Sequence, residues 1–463
     1  MFSPRCCRIL LLLFIGLVVS PLPAEEKPNI VLILADDLGW ADLPVYGNAF
    51  NETPAIDSLA AGGMRFTQFY AGAVCSPTRA NLQSGRNEAR FGITQHIPGH
   101  RRPFAKLIDP AVPLQLPLEV ETFAERLGAA GYATGYFGKW HLGGTGYSPA
   151  EQGWGTVIEC QKHELPPSLT GKAEAVRTAA FLTEKAVEFI ETHREQPFVL
   201  QVSHYAVHIP LSTRPELLAK YEEKSPMPAY PSLPEYAGLL EELDESVGGI
   251  LAALDRLDLS RKTLVVFTSD NGGLVHDQGG KVYTSNLPLR SEKGTLYEGG
   301  IRVPAVMRWP GVIPEGGVCE VPAITADLYP TFLALGGVAP SGKEMPDGLS
   351  LVALMRDPTY AMKRDALFWH LPHYHHSTPA SAIRKDDWKL LEFLEDGHLE
   401  LYHLASDPGE TTNLAEREAA RSAELHAGLV QWRKDIGARM PEPNPAFDPL
   451  RAGEMAGGKR KAE

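Results

Sequence analysis

The tightest constraint on how this chain can fold is a pair of short apolar runs, each stopping at acidic or amide residues. Asn29–Ala35 reads NIVLILA and ends at Asp36-Asp37; Thr263–Ser269 reads TLVVFTS and ends at Asp270-Asn271. Near-continuous apolar runs of this length suit strands buried on both faces. Residues 122–130 read as a helix, followed by Gly131 and a short strand at 132–137, and Phe198–Ser203 reads as a further strand. Leu240, Leu243, Val247, Ile250, Leu254 and Leu257 recur at helical spacing and lead directly into Thr263–Ser269. Strand, helix and strand in this order predict an α/β fold with a large, mostly parallel sheet sandwiched by helices. Ligands of open α/β sheets bind beyond the carboxyl ends of strands. All four polar residues fall there. Past about residue 360, short alternating segments such as Trp388–Phe393 predict an antiparallel sheet, and 415–436 a closing helix. The expected division is a main domain at 25–360, a smaller C-terminal subdomain at 361–445 and a disordered tail at 446–463.

Residues 1–24 read as an address. Arg5 and Arg8 precede an apolar run at 9–19, and the small Ala24 precedes Glu25-Glu26. This is the pattern of a secretory signal peptide, which predicts export to a periplasmic, extracellular or lumenal space. The run is short of the roughly 20 residues that span a bilayer, so an uncleaved anchor is the lesser reading. No later stretch is long and apolar enough for a stable membrane span. The net charge of −13 argues against nucleic acid or an anionic membrane as partner. A local basic pocket still admits an anionic substrate. Beyond the leader remain Cys75, Cys160 and Cys319. Export permits a Cys160–Cys319 disulfide; two separate buried thiols are the equal alternative.

Asp36, Asp37, Asp270 and Asn271 offer three carboxylates and an amide oxygen, a hard set suited to Ca²⁺ or Mg²⁺ rather than Zn²⁺. Either pair alone would serve as a helix cap; both together, each ending an apolar strand, favour a metal. Cys75-Ser76-Pro77-Thr78-Arg79, continuing to Gly85-Arg86, places a thiol beside a cation. This Cys-x-Pro-x-Arg core resembles the signature of the type I, formylglycine-dependent sulfatases of the alkaline phosphatase superfamily. Gly131-Tyr132-x-Thr134-x-x-x-Gly138-Lys139-x-His141 is similar to that family's second signature. The stretch from Lys293 through Gly294-Thr295-Leu296-Tyr297-Glu298-Gly299-Gly300 to Arg302-Val303-Pro304 resembles a third, and Asp407-Pro408-x-Glu410 a C-terminal one. The pattern is similar to that of arylsulfatase A and N-acetylgalactosamine-sulfatase type enzymes. Gln83 departs from the apolar residue many relatives carry there.

The resemblance implies an alkaline-phosphatase-like core and hydrolysis of sulfate monoesters, with a sulfated carbohydrate as the foremost substrate. It implies one divalent cation, usually Ca²⁺, held by Asp36, Asp37, Asp270, Asn271 and the modified Cys75. Cys75 would be converted to 3-oxoalanine (formylglycine) by a formylglycine-generating enzyme. Arg79 would hold the formylglycine hydroxyl beside Lys139 and His141, and Lys293 would bind sulfate. A hydroxyl of the hydrated aldehyde would attack sulfur. His208, helped by Lys293, would protonate the departing alcohol, and His141 would take the proton that lets the aldehyde reform. His204 would be a supporting residue only. Rival readings are a phosphonate monoester or phosphodiester hydrolase of the same superfamily and a non-catalytic sulfated-glycan binder.

Two further stretches predict substrate contacts. Phe368 to His376 holds four histidines, of which His370, His373 and His375 are candidates for sugar hydroxyls; a second metal or a surface turn are the alternatives. In the stretch from Gln95 to Arg102, which also holds His96, the residues His100, Arg101 and Arg102 would contact an acidic or sulfated sugar, or form an exposed basic loop.

Overall fold

The computed structural model describes residues 27–224, 231–276, 280–340 and 345–456. The leader expected at 1–24 lies outside them, as do residues 457–463. The apolar runs form the centre of a nine-stranded sheet. Its order is Gly317–Cys319, Met64–Tyr70, Arg302–Arg308, Thr263–Ser269, Asn29–Ala35, Phe198–Ser203, Ala133–Gly138 and Thr156–Glu159, with Ala323–Ile324 also on Met64–Tyr70. Only Arg302–Arg308 runs antiparallel to its neighbours.

The sheet is covered on both faces because side chains alternate along each strand. Ile30, Leu32 and Leu34 pack into one core with Phe123, Leu127 and Phe332. Val31, Ile33 and Ala35 pack into the other with Phe189 of the Thr178–Thr192 helix and Leu243 of the Pro234–Arg256 helix. This same alternation decides the cysteine question. Cys319 belongs to the first core and Cys160 to the second, so the sheet stands between them. Both thiols are free and buried.

Register brings the polar residues together. Leu34 pairs with Ser203, Ala35 with Ser269, and Gly138 with Ser203. Asp36, Asp270, His204 and Lys139 therefore leave the sheet at one edge. Hydrogen bonds fix these exits: Asp36 N–H donates to Ala206 O at 2.9 Å, and Lys139 N–H to Ser203 O at 2.8 Å. Gly138 has φ of +112°, and a Cβ there would lie 1.9 Å from Ser203 O. Both the backbone conformation and the space require glycine. Gly138→Ala is expected to lower stability by about 2–4 kcal/mol and to displace Lys139. Denaturant unfolding checks this, and an unchanged midpoint would refute the strain argument.

The C-terminal part is an antiparallel sheet of Leu367–Leu371, Ala380–Lys385, Trp388–Phe393 and Leu399–His403. Leu425 and Leu429 of the Ala419–Asp435 helix cover one face. Trp369, Ala382 and Leu391 pack the other face onto Tyr70 and Leu296 of the main domain. Across this seam Lys389, fully buried, lies 2.9 Å from both Glu298 and Glu410, which ties two of the signature stretches together. Residues 446–456, expected as part of a disordered tail, are held to the main domain by Asp448 N–H to Phe104 O and Ala456 N–H to Arg101 O. No helix among the described residues is long and apolar enough to cross a membrane.

Candidate active site

The Cys75–Ser84 helix is buried at every residue. It ends at Gly85, whose left-handed conformation lets its N–H cap Asn81 O. Cys75 opens the first turn, and Arg79, four residues on, shares its face. Thr78 Oγ1 accepts from Gly72 N–H at 2.7 Å, and Ser76 Oγ donates to His141 O at 2.9 Å. Those bonds lock the helix start to the loops around it. Gln83 is buried and donates from Nε2 to Gln201 Oε1 at 2.8 Å, while its own Oε1 has no hydrogen-bond partner.

Around Cys75 stand three buried carboxylates and three buried cations. Arg79 Nε and Nη2 reach Asp270 Oδ2 at 3.0 and 2.7 Å, and its Nη1 donates to Lys139 O at 2.5 Å. Lys139 Nζ lies 2.5 Å from Asp36 Oδ2, and Lys293 Nζ lies 2.6 Å from Asp37 Oδ1. Asn271 Nδ2 donates to Asp37 Oδ1 at 2.8 Å. Burial raises the Asp37 carboxyl, but Lys293, His208 and Lys139 together hold it well below the usual range. Burial, then the neighbouring Asp36, pushes Asp270 up to about 6 against the pull of Arg79.

The donor set fits a divalent cation. Asp36 Oδ1 and Asn271 Oδ1 are buried and have no hydrogen-bond partner. Unsatisfied acceptors of this kind are costly unless something positive meets them. Ligand atoms of Asp36, Asp37, Cys75 and His208 lie within 4.8 Å of one another, the only such grouping of His, Cys, Asp and Glu among the described residues. The histidine-rich 368–376 stretch therefore forms no second metal site of that geometry.

Above the cluster opens a cavity of about 610 Å³. Cys75, Lys139, His141, His208 and Lys293, five of the six catalytic candidates, line it. Arg79 lies beneath, 1% exposed, behind Asp270. Burial pushes the Cys75 thiol up to about 11. His141, with φ of +60°, donates from Nε2 to Ile97 O at 2.6 Å and keeps Nδ1 buried and unpartnered. Burial and then Lys139 hold it down at about 2. His208 donates from Nδ1 to Ile209 O at 2.5 Å and turns Nε2 toward Asp37 Oδ2 at 3.7 Å. Burial holds it at about 4, although Asp37 pulls the other way.

Among the substrate-contact candidates, His100 and His375 line the cavity, their rings stacked 5.2 Å apart. His370 and His373 do not. His370 points into the C-terminal sheet, between Ser381 Oγ at 2.7 Å and Arg439 O at 2.9 Å. His373 is 1% exposed and bonds Thr94 Oγ1 at 2.8 Å. Strand alternation and the turn after Leu371 decide which rings face inward. Arg102 supports the wall from behind by donating to His375 O at 2.8 Å, and Arg101 lies outside the cavity lining. His204 turns away to Ser246 Oγ at 3.2 Å. Sequence reasoning did not single out Gln161, Tyr205 or His276, which also line the cavity; His96 and His376 lay within the stretches considered but were not among the candidates. Gly294 has φ of +78°, and a Cβ there would fall 1.9 Å from His375 Nδ1. The glycine after Lys293 thereby admits the histidine wall beside the lysine.

The family model described as Sulfatase matches residues 28–338, and that described as N-sulphoglucosamine sulphohydrolase, C-terminal, matches 291–435. The chain is similar to a "Sulfatase" of Formosa agariphila, at 32% identity over 89% of this chain and 90% of that protein. It is similar to human arylsulfatase A at 33% identity, over 93% of this chain and 90% of the relative. Among solved structures, that of Ps i-CgsB in complex with k-i-k-neocarrahexaose superposes with a TM-score of 0.76 and 26% identity, covering 91% of this chain and 95% of that one.

Proposed function

We propose, from the premise that this chain belongs to the sulfatase family and is a sulfuric ester hydrolase, that it is exported and removes sulfate from a sulfated carbohydrate. In this reading Cys75 acts as formylglycine, and Asp36, Asp37, Asp270 and Asn271 hold one divalent cation. The observation that carries it is the pair of orphaned acceptors, Asp36 Oδ1 and Asn271 Oδ1, set in a carboxylate cluster directly under Cys75. The cation supplies Lewis acidity to the sulfate oxygens, and the oxidised Cys75 supplies an oxygen nucleophile.

The chain's own residues do the rest. Lys139 and Lys293 bring two buried positive charges to the cavity floor, where a sulfate ester's oxygens would lie and where low dielectric strengthens them. Arg79 fixes Asp270 and the Lys139 carbonyl, and so holds the floor rigid. His208 Nε2, with Nδ1 tied to a carbonyl, is free to exchange a proton with the leaving oxygen. His141, which lines the same cavity as Cys75 and keeps Nδ1 unpartnered, is the base assigned to take the proton from the nucleophile's remaining hydroxyl. The leader at 1–24 supports export.

The test is turnover by the full chain coexpressed with a formylglycine-generating enzyme and supplied with Ca²⁺. Released sulfate is followed from 4-nitrophenyl sulfate and from methyl hexopyranoside monosulfates, with peptide mass spectrometry at Cys75. Sulfate release, its loss on chelation, and 3-oxoalanine at position 75 are expected. Faster turnover of phosphodiesters than of any sulfate ester would overturn the substrate assignment. An active preparation carrying only the thiol would overturn the nucleophile.

A further inference from the structure

His208 rides on the loop that leaves the sheet after Ser203, and its ring is fixed from behind the cavity. Tyr205 Oη donates to Ile209 O at 2.9 Å, and His208 Nδ1 donates to the same oxygen at 2.5 Å. His208 N–H donates to Tyr205 O at 2.9 Å, which closes the loop on itself. The Tyr205 ring packs on the His208 ring at 5.0 Å, and the His163 ring packs on Tyr205 at 4.8 Å. His163 also grips the loop's backbone, because its Nε2 donates to His208 O at 2.6 Å. A carbonyl only accepts, so these two ring nitrogens carry protons whether either ring is neutral or charged.

His163 is itself anchored on a separate element. Its carbonyl accepts from Thr178 N–H at 2.9 Å, and Lys162 O accepts from Thr178 Oγ1 at 2.5 Å, both at the start of the Thr178–Thr192 helix. That helix packs on the sheet through Phe189. His163 is 8% exposed and lies outside the cavity lining, whereas Tyr205 and His208 belong to it. His163 therefore acts on the reaction only through the residues it holds. What it holds is a direction. A His208 ring turned over would lose Ile209 O, and a shifted backbone would carry Nε2 off its target. A displacement of about 1 Å at such a group costs on the order of 10²-fold in rate.

We propose that His163 is a positioning residue which, through the His208 carbonyl and the Tyr205 ring, holds His208 Nε2 on the oxygen that leaves sulfur. The inference rests on the sulfatase reading and deepens it. Its consequence is selective. The electron pair of the breaking S–O bond goes to the leaving oxygen. A nitrophenol departs readily as its anion, whereas a sugar oxygen must take up a proton at His208 Nε2 to leave as an alcohol. The clamp thus serves alcohol leaving groups, the class that a sulfated carbohydrate supplies.

The experiment uses the modified, Ca²⁺-loaded full chain. Steady-state kinetics are measured on 4-nitrophenyl sulfate, on phenyl sulfate and on the methyl hexopyranoside monosulfate turned over fastest. The ratio of saccharide to nitrophenyl kcat/KM is then compared among the parent, His163→Leu, His163→Gln and Tyr205→Phe. Within one preparation this ratio does not depend on how much of the protein is folded or modified. His163→Leu should lower it about 10- to 100-fold, the scale of a misplaced general acid. The loss should fall on kcat for the saccharide rather than on KM, because His163 does not meet substrate. Phenyl sulfate should be affected to an intermediate degree. His163→Gln, whose amide can donate to the same carbonyl, should restore part of the ratio. Tyr205→Phe keeps the ring and deletes one bond to Ile209 O, and should lower the ratio less than His163→Leu does. An equal loss on all three esters, or no loss, would overturn the proposal and leave His163 a support of the fold alone. Where His163→Leu does not fold, Tyr205→Phe carries the test, and an unchanged ratio there overturns the proposal. A parent protein that cleaves only the nitrophenyl ester would overturn it too, while remaining a sulfatase. No turnover of any sulfate ester by fully modified protein would instead bring down the reading beneath it.

Discussion

Replacing Cys75 with alanine is expected to reduce sulfate-ester turnover by at least about 10⁴-fold, the scale on which removal of a covalent nucleophile acts. The same change should move the thermal midpoint by no more than about 4 °C, since it deletes one buried sulfur worth about 1 kcal/mol. The argument turns on burial. Cys75 is 2% exposed, and its thiol is pushed up to about 11. At neutral pH such a thiol is almost wholly protonated and a poor nucleophile. Placed at the head of a buried helix, over a carboxylate cluster and under a cavity, an unaltered cysteine would be the least useful group in the site. An oxygen nucleophile made from it fits the hard donors below. Steady-state kinetics with unfolding curves check this. Residual turnover within tenfold of the parent protein would sink it.

Asp270→Ala is expected to cost about 3–5 kcal/mol of stability, the usual price of leaving a buried ion without its partner. Arg79 is 1% exposed, and two of its three nitrogens point at one oxygen of Asp270. Removing that carboxylate leaves a guanidinium that cannot shed its proton with only the Lys139 carbonyl and Asp36 Oδ2, 3.8 Å away, to meet it. Arg79→Leu in the same background should recover part of the loss, because a double-mutant cycle removes the stranded charge. Added Ca²⁺ should raise the midpoint of the parent protein but not that of Asp270→Ala, since ligand binding to the native state alone stabilises it. Denaturant titrations with and without Ca²⁺ decide the matter. A loss below about 1 kcal/mol, or an equal response to the ion in both proteins, would show that Asp270 neither pairs with Arg79 nor holds the cation.

Several features could be read without coordinates because they are local. NIVLILA and TLVVFTS are apolar on both faces, so they had to lie in a covered sheet, and the acidic residues after them had to emerge at its end. Cys75 and Arg79 sit one helical turn apart wherever that helix goes. Signature spacing tied Lys139, His141 and Lys293 to the same chemistry, and all three line the cavity.

The limits were equally physical. The four histidines of 368–376 look alike in sequence. Yet His370 is claimed by Ser381 and Arg439, His373 by Thr94, and His375 and His376 alone face the cavity. Which ring turns inward depends on partners far along the chain. The 446–456 segment is small and polar, but it finds backbone partners at 101–104 that composition cannot disclose. Gln161 and Tyr205 carried no local signal at all.

What the sequence determined by itself was the chemistry on offer: hard oxygen ligands, a cysteine in a recognisable frame, cations and imidazoles at set intervals. Only the tertiary structure decided which cysteines could never meet, which histidines face the cavity, and which ring nitrogens are tied to backbone carbonyls. Residue type and spacing act over one turn or one strand. Pairing across a sheet, burial, and the carbonyl that orients an imidazole all depend on segments hundreds of residues apart closing on one another, and that closure is a property of the packed chain.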